Sequence, residues 1–217
     1  MTPNKEDYLK CIHELGEKNN KISNKKIAEM MQVSAPAVSE MIKKMISEQL
    51  IVKDKDKDLG YYLTKQGLLV VSDLYRKHRL VEVFLVNHLH YTADDIHEEA
   101  EVLEHTVSTT FVDQLEKLLD FPQFCPHGGT IPKKGEFLVE INQMTLDQIS
   151  QLGTYVISRV HDDFQLLKYL EQHRLHINDT IELTQIDPYA KTYHITYNDE
   201  NLTIPERIAS QIYVSAT

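Results

Sequence analysis

Tryptophan is absent from the 217 residues, and cysteine occurs only twice, at Cys11 and Cys125. Two thiols are too few for a disulfide framework. That excludes the small secreted scaffolds that depend on one and makes a reduced, intracellular setting the expectation. Glycine and proline number seven each, so neither a collagen-like repeat nor a low-complexity stretch is present. No apolar run approaches the ~20 residues that span a bilayer. The first residues, Met1 to Asp7, are polar and lack the apolar core of a signal peptide. A cytoplasmic protein is expected.

An overall basic charge is also missing. The net charge is −10, which would argue against nucleic acid if it were spread evenly. It is not. Residues 1–75 carry 12 lysines against 11 acids, whereas residues 76–217 carry 11 lysines and arginines against 22 acids. Nucleic-acid binding needs only a local basic face, so the first segment remains open to it.

Apolar periodicity places a helix at residues 4–17, with Tyr8, Ile12 and Leu15 inward and Cys11 beside them. Ser23 opens a second helix, 24–31, and Ser34 caps a third, 35–48, with Pro36 in its first turn where a missing N–H costs nothing. Val38, Met41, Ile42, Met45 and Ile46 form its buried face. Two short strands, 50–53 and 61–64, flank a charged tip ending at Gly60. Helix, helix–turn–helix and hairpin follow in the order of a winged helix–turn–helix. A long helix at 66–88 comes next, then helices at 92–105 and 109–119, a Pro- and Gly-rich loop at 121–132 and a linker at 133–142. Strands at 153–160, 180–185, 192–197 and 211–214, interrupted by a helix at 164–173, point to a small β-barrel of SH3-like type. The expected fold is mainly α with small β elements. It comprises a winged helix–turn–helix (1–72), a helical metal-binding and dimerisation domain (73–142) and an SH3-like domain (143–217).

The chemistry concentrates in the run His97 to His105. Glu101, Glu104 and His105 stand at i, i+3 and i+4, so a helix puts them on one face, and His97 lies one turn earlier. With no basic residue in that run, these groups repel unless a cation sits among them. Carboxylates with imidazole suit manganese, iron or zinc. The plainer reading is a solvated acidic helix face. Against it stand His78 and Glu82, again i and i+4, and the loop Cys125-Pro126-His127. Cys125 and His127 also have the types of a catalytic thiol–imidazole pair, but no orienting third group or oxyanion loop accompanies them. The zinc-protease pattern H-E-x-x-H fails, because Glu101 occupies the position of its second histidine. A metallohydrolase, which needs an open coordination position beside a general base, is the alternative of a different class.

At the head of the third helix, Ser34, Ala35, Pro36, Ala37, Ser39 and Glu40 occupy the positions that meet base edges in a helix–turn–helix. Small side chains there permit close approach. Lys25, Lys26, Lys43, Lys44 and Lys53 are placed for phosphates, which position a domain without reading sequence.

Taken together, Asp7, the S-A-P-A-V-S head, Y-R-K-H-R-L-V-E-V-F-L at 75–85, H-E-E-A-E-V-L-E-H at 97–105 and C-P-H-G-G at 125–129 resemble the diphtheria-toxin-repressor family. Within it the chain is most similar to the manganese-dependent, streptococcal branch with a third, SH3-like domain. The resemblance spans essentially the whole chain. It implies a metal-activated, homodimeric repressor of metal-uptake genes acting on a palindromic double-stranded DNA operator. It also implies two metal sites per subunit. One is formed by Asp7, Glu101, Glu104 and His105, and the other by His78, Glu82, His97, Cys125, His127 and Asp162. Iron-responsive members carry Met where Asp7 stands and Cys where Glu101 stands, so the set here is harder and favours Mn²⁺. Fe²⁺, Zn²⁺ and Cd²⁺ are other ions for the same donors, and an iron- or zinc-responsive regulator of the same fold is the nearer alternative. Two-domain manganese regulators have Glu where Lys10 stands, and the wing tip Asp54 to Asp58 is longer and more acidic than the family pattern.

Overall fold

The computed structural model describes residues 3–17, 21–53, 60–92 and 96–216. The chain divides into two compact units. One comprises residues 1–78, 104–107 and 132–138, and the other residues 79–103, 108–131 and 139–217.

The first unit is built on three helices, α1 (Pro3–Glu17), α2 (Asn24–Met31) and α3 (Ala35–Ser47), with the hairpin β1 (Ile51–Lys53) and β2 (Tyr61–Leu63). Local chemistry sets the boundaries. Ser23 accepts from the Lys26 N–H at 3.3 Å, and Ser34 accepts from the Ala37 N–H at 3.4 Å, so each helix begins on a serine cap. Gln32, at φ 54°, ends α2 in the left-handed region, with the Val33 N–H returned to Ala28 O. Apolar residues at helical spacing then close a core of Tyr8, Leu9, Ile12, Ile27, Val38, Ile42, Met45, Leu50 and Ile51. Ile46 departs from the expected buried face of α3 and is 40% exposed. The hairpin pairs Ile51 with Leu63 and Lys53 with Tyr61. Its expected tip, Asp54 to Asp58, lies outside the described residues.

The long helix is α4 (Lys65–Leu89). It starts against the end of the third-helix segment. A Cβ on Gly67 would stand 2.1 Å from the Leu50 carbonyl oxygen, so only glycine allows this approach. α5 (Ile96–Glu104) and α6 (Thr109–Leu118) follow, α6 capped by Ser108.

In the second unit, β3 (Gly153–Val160), α7 (Phe164–Gln172), β4 (Thr180–Asp187), β5 (Thr192–Tyr197), β6 (Glu200–Pro205), the short α8 (Glu206–Ala209) and β7 (Ile212–Ala216) form the C-terminal module. The five strands make one antiparallel sheet in the order β6-β5-β4-β3-β7. Ile157, Ile181, Leu183, Ile195, Ile204, Ile212 and Val214 face its core with Leu166, Leu167 and Leu170 of α7. Two expectations are corrected here. No ladder joins β6 to β7 among the described residues, so the sheet is not a closed barrel. A fifth strand, β6, stands in the stretch left unassigned between the expected strands at 192–197 and 211–214. Its sequence, ENLTIP, buries only Ile204 and ends in proline, which an edge strand tolerates. No helix among the described residues is long and apolar enough to cross a membrane.

The Gly67 approach gives a sharp expectation. Gly67→Ala should lower stability by about 2 kcal/mol or more, because backbone must move to admit the methyl group. A melting temperature equal to that of the parent protein would contradict this packing.

Candidate metal centres and DNA-reading face

Three ligand-type side chains converge in the first unit. Asp7, Glu104 and His105 each offer an atom within 4.8 Å of the others. His105 Nε2 lies 2.9 Å from Asp7 Oδ1 and 3.3 Å from Glu104 Oε1. On the other side of the ring, His105 Nδ1 lies 2.8 Å from Glu6 Oε2. A carboxylate on one ring nitrogen orients the other toward a cation, the arrangement that metal-binding histidines ordinarily have. Glu6 was not foreseen, because nothing in sequence connects it to a residue 99 positions away. Asp7 is the fifth residue of α1, past the first turn, where only Glu6 is acidic. A helix-cap role therefore does not account for it. Burial raises the Asp7 carboxyl above its usual range and Glu104 adds to this, against the opposing charges of His105 and Lys10.

Glu101 was expected on the same face and is not in this group. Glu101 stands one turn before His105 at the C-terminal end of α5. Glu101 instead faces His97, Nε2 to Oε1 at 3.5 Å, with half its side chain exposed. Glu104 is buried. Its second oxygen lies 2.6 Å from His78 Nδ1, and Lys10 Nζ stands 3.8 Å from its first. Lys10 thus brings positive charge that the His97-to-His105 run itself lacks. His78, which makes that contact with Glu104, sits one turn before Glu82 on α4.

The second unit holds a further convergence. Glu82, Cys125 and His127 are all buried with ligand atoms within 4.8 Å of one another, and Glu82, His97 and Asp162 meet the same limit. His127 Nδ1 stands 3.2 Å from Glu82 Oε1 and 3.5 Å from Asp162 Oδ1. His97 Nδ1 is 3.0 Å from the same Asp162 oxygen. Burial by itself would lower the His127 pKa. Glu82, with Cys125 and Asp162, overrides this and holds it well above the ordinary imidazole value. Neither ring nitrogen of His127 has a well-formed hydrogen bond, although both are buried. Buried carboxylate, imidazole and thiol groups gathered within 4.8 Å of one another fit a divalent cation, which would replace the proton. The donor set mixes hard oxygen with nitrogen and sulfur, so it is softer than the first. The other thiol, Cys11, belongs to the core. Burial, with Glu14 nearby, pushes it up to about 12.

Glu140, Arg79 and Arg159 form a cluster that sequence reading missed. The Glu140 carboxylate takes Arg79 Nη2 at 2.6 Å, Arg159 Nη1 at 3.0 Å and the Thr130 N–H at 2.9 Å. Burial alone would raise its pKa, but the two guanidiniums and the Thr130 amide lower it below the usual carboxylate value.

At the head of α3, Ser34, Ala35, Pro36, Ala37 and Glu40 are exposed, as are Lys25, Lys43, Lys44 and Lys53, while Lys26 is half-buried. Ser39 is partly committed, receiving the Asn24 side-chain amide at 3.0 Å and donating to Ala35 O at 3.0 Å. Lys25 pairs with Glu29 at 3.8 Å.

A winged three-helix core with an open reading helix, whose first helix shares a buried carboxylate–imidazole cluster, defines a DNA-binding protein governed by a cation. Comparison with known proteins agrees. Residues 1–59 match the iron dependent repressor N-terminal DNA binding domain, residues 64–133 the iron dependent repressor metal binding and dimerisation domain, and residues 144–216 the FeoA domain. The chain is 58% identical to the structure of the manganese regulator SloR, covering 100% of both chains at a TM-score of 0.89. It is 55% identical to ScaR with bound Zn²⁺, covering 98% of this chain and 99% of that one at a TM-score of 0.92; ScaR has also been solved with Cd²⁺. The diphtheria toxin repressor of Corynebacterium jeikeium (strain K411) is 29% identical over 181 residues, 82% of this chain and 75% of that protein. The chain belongs to the iron-dependent repressor family, the family of the diphtheria toxin repressor. It is a metal-dependent transcriptional repressor that binds operator DNA as a dimer, and it is not an enzyme.

The Glu140 cluster carries a pH expectation. A carboxyl depressed in the folded state stabilises the protein above its unfolded value, and that contribution is lost as pH falls through the folded value. Glu140→Gln should therefore destabilise the protein near neutrality, with the deficit shrinking in strong acid. Denaturant midpoints of both proteins across that range measure it, and a pH-independent deficit would refute the ion-pair origin.

Proposed function

We propose that the ion sensed is manganese and that the repressor, in the cytoplasm, acts on a palindromic operator of metal-uptake genes. The observation that carries this reading is the Asp7–Glu104–His105 cluster. It offers two carboxylates and one imidazole and no sulfur, a hard set suited to Mn²⁺. Similarity over the full chain to a manganese regulator supports it. Affinity order alone would favour Zn²⁺, so ion availability joins geometry in deciding occupancy.

Asp7, Glu104 and His105, with Glu101 at the end of the neighbouring turn, are the residues we assign to the first ion. His78, Glu82, His97, Cys125, His127 and Asp162 are those for a second. A divalent cation at the first group would supply the charge that lets Asp7 and Glu104 face one another. Asp7 rides on α1, α1 packs on α2 and on β2, and α2 packs on α3. A hold on Asp7 is therefore a hold on the reading helix. In a dimer, two such helices must meet half-sites a helical turn apart, or a multiple of it. Asp7, Glu104 and His105 must hold the ion better in the DNA-competent arrangement than in the free one. By reciprocity, DNA then tightens ion binding. Ala35, Pro36 and Ala37 approach base edges, with Ser34, Ser39 and Glu40 beside them and Lys25, Lys26, Lys43, Lys44 and Lys53 on phosphates. Three domains, 1–72, 73–142 and 143–217, divide the work into reading, sensing with dimerisation, and a C-terminal module.

Two measurements test this. In gel-shift or anisotropy titrations, Mn²⁺ should tighten operator binding at least tenfold, about 1.4 kcal/mol, and Ala37→Asp should abolish binding while dimerisation and ion uptake persist. Equal affinity with and without chelator would sink the proposal. Asp7→Ala should dimerise and melt near the parent temperature without ions, yet gain little DNA affinity from Mn²⁺. A lower ion-free melting temperature with a normal Mn²⁺ response would show instead that Asp7 only stabilises α1.

A further inference from the structure

We propose that Glu140 is a positioning residue for the Cys125–His127 centre, acting as the hub that fixes the three segments bringing its ligands together. The inference rests on the reading of that centre as an ion site. Each arm of the hub is on a ligand-bearing segment. Arg79 lies on α4 three residues before Glu82, and its Nη2 meets Glu140 Oε1 at 2.6 Å. Arg159 lies on β3 three residues before Asp162, and its Nη1 meets the same oxygen at 3.0 Å. Thr130 closes the loop that carries Cys125 and His127, and its N–H donates to Glu140 Oε2 at 2.9 Å.

The loop is held tightly at that end. The Thr130 carbonyl accepts from Arg79 Nη1, and its hydroxyl oxygen accepts from the Ile141 N–H at 3.2 Å. Thr130 bridges to Phe124, and within the turn the Cys125 N–H donates to Gly129 O and the Gly128 N–H to Cys125 O, both at 2.9 Å. Gly129 has no room for a side chain, because a Cβ would lie 2.7 Å from the Arg79 guanidinium carbon. At the far end the Val160 N–H donates to His127 O at 2.9 Å, and Arg159 stacks on Tyr213 with its guanidinium carbon 3.6 Å from the ring centroid. The Glu140 backbone is itself fixed, its carbonyl accepting from the Gln143 amide at 2.8 Å.

A carboxylate holding two guanidiniums and an amide is a rigid joint, since its bonds are charge-assisted and the forked donors set direction as well as distance. Ligands need to be held within a few tenths of an ångström for a cation to bind well, and supporting residues ordinarily contribute tenfold to a hundredfold in affinity. Glu140 touches none of Glu82, Cys125, His127 or Asp162 through its carboxylate contacts, so its effect must run through Arg79, Thr130 and Arg159.

The test uses full-length protein with Co²⁺ as probe, read by thiolate-to-Co²⁺ absorption in the near ultraviolet and by competition with a chromophoric chelator. The parent protein should show the absorption and Cys125→Ser should lose it. Glu140→Gln and Arg79→Lys should weaken Co²⁺ at this centre at least tenfold and shift the band. In ion-free protein, amide exchange at residues 125–130 should be faster. Arg79→Lys carries the test if Glu140→Gln fails to fold. Parent-like affinity and spectrum in a folded variant would overturn the inference while leaving the ion site intact. Absence of a Cys125-dependent band in the parent protein would overturn the site reading and the inference with it.

Discussion

Like-charged carboxylates brought together in a partly buried cluster are the constraint around which this molecule is arranged. Glu104 is buried, Asp7 is half-buried, and both approach the His105 ring. Burying such groups is unfavourable unless a proton or a cation compensates. Lys10 and His78 supply part of that compensation from the chain itself, while Glu6 adds a further carboxylate on the far side of the His105 ring. The rest depends on conditions, and that dependence is what makes the cluster suited to sensing. A fold that met every charge internally would have nothing left for an ion to change.

The second convergence obeys the same rule with different donors. His127 is held well above its ordinary pKa by Glu82, with Cys125 and Asp162, despite burial that works the other way. A proton on His127 and a cation at this centre would therefore compete. Its sulfur-bearing donor set contrasts with the oxygen-rich first cluster, and the contrast follows from one cysteine in a loop rather than from any difference in fold. Behind it, the Glu140 joint shows how a loop rich in proline and glycine is kept in one shape by two arginine side chains, a backbone amide and a carboxylate.

The reading helix needs little beyond exposure. Ala35, Pro36 and Ala37 contribute small surface at its head, and Val38, Ile42 and Met45 anchor its other face in the core. The proposed DNA contact is thus separated from stability along one helix. An ion held at Asp7, as proposed, would alter the placement of a rigid unit and leave the surface at the head of α3 unchanged.

Much of this was legible in sequence because it is local. Serine caps, helical spacing and apolar alternation place the three helices of the reading core and strands β3 and β5 as read, since these signals lie within each segment itself. His–Glu pairs one turn apart flagged both clusters for the same reason. Tertiary structure alone decided which ligands meet. Helical spacing grouped Glu101 with His105, but the Glu101 side chain turns to His97. Glu6, Lys10, Arg79, Glu140 and Arg159 became partners of the site only through folding, because their contacts join segments tens of residues apart and leave no periodic trace. Strand β6, polar and proline-ended, is a strand because β5 offers it an edge. Sequence specified the elements through short-range hydrogen bonding and apolar periodicity. The charge balance on which sensing depends was set by long-range packing, which no local pattern encodes.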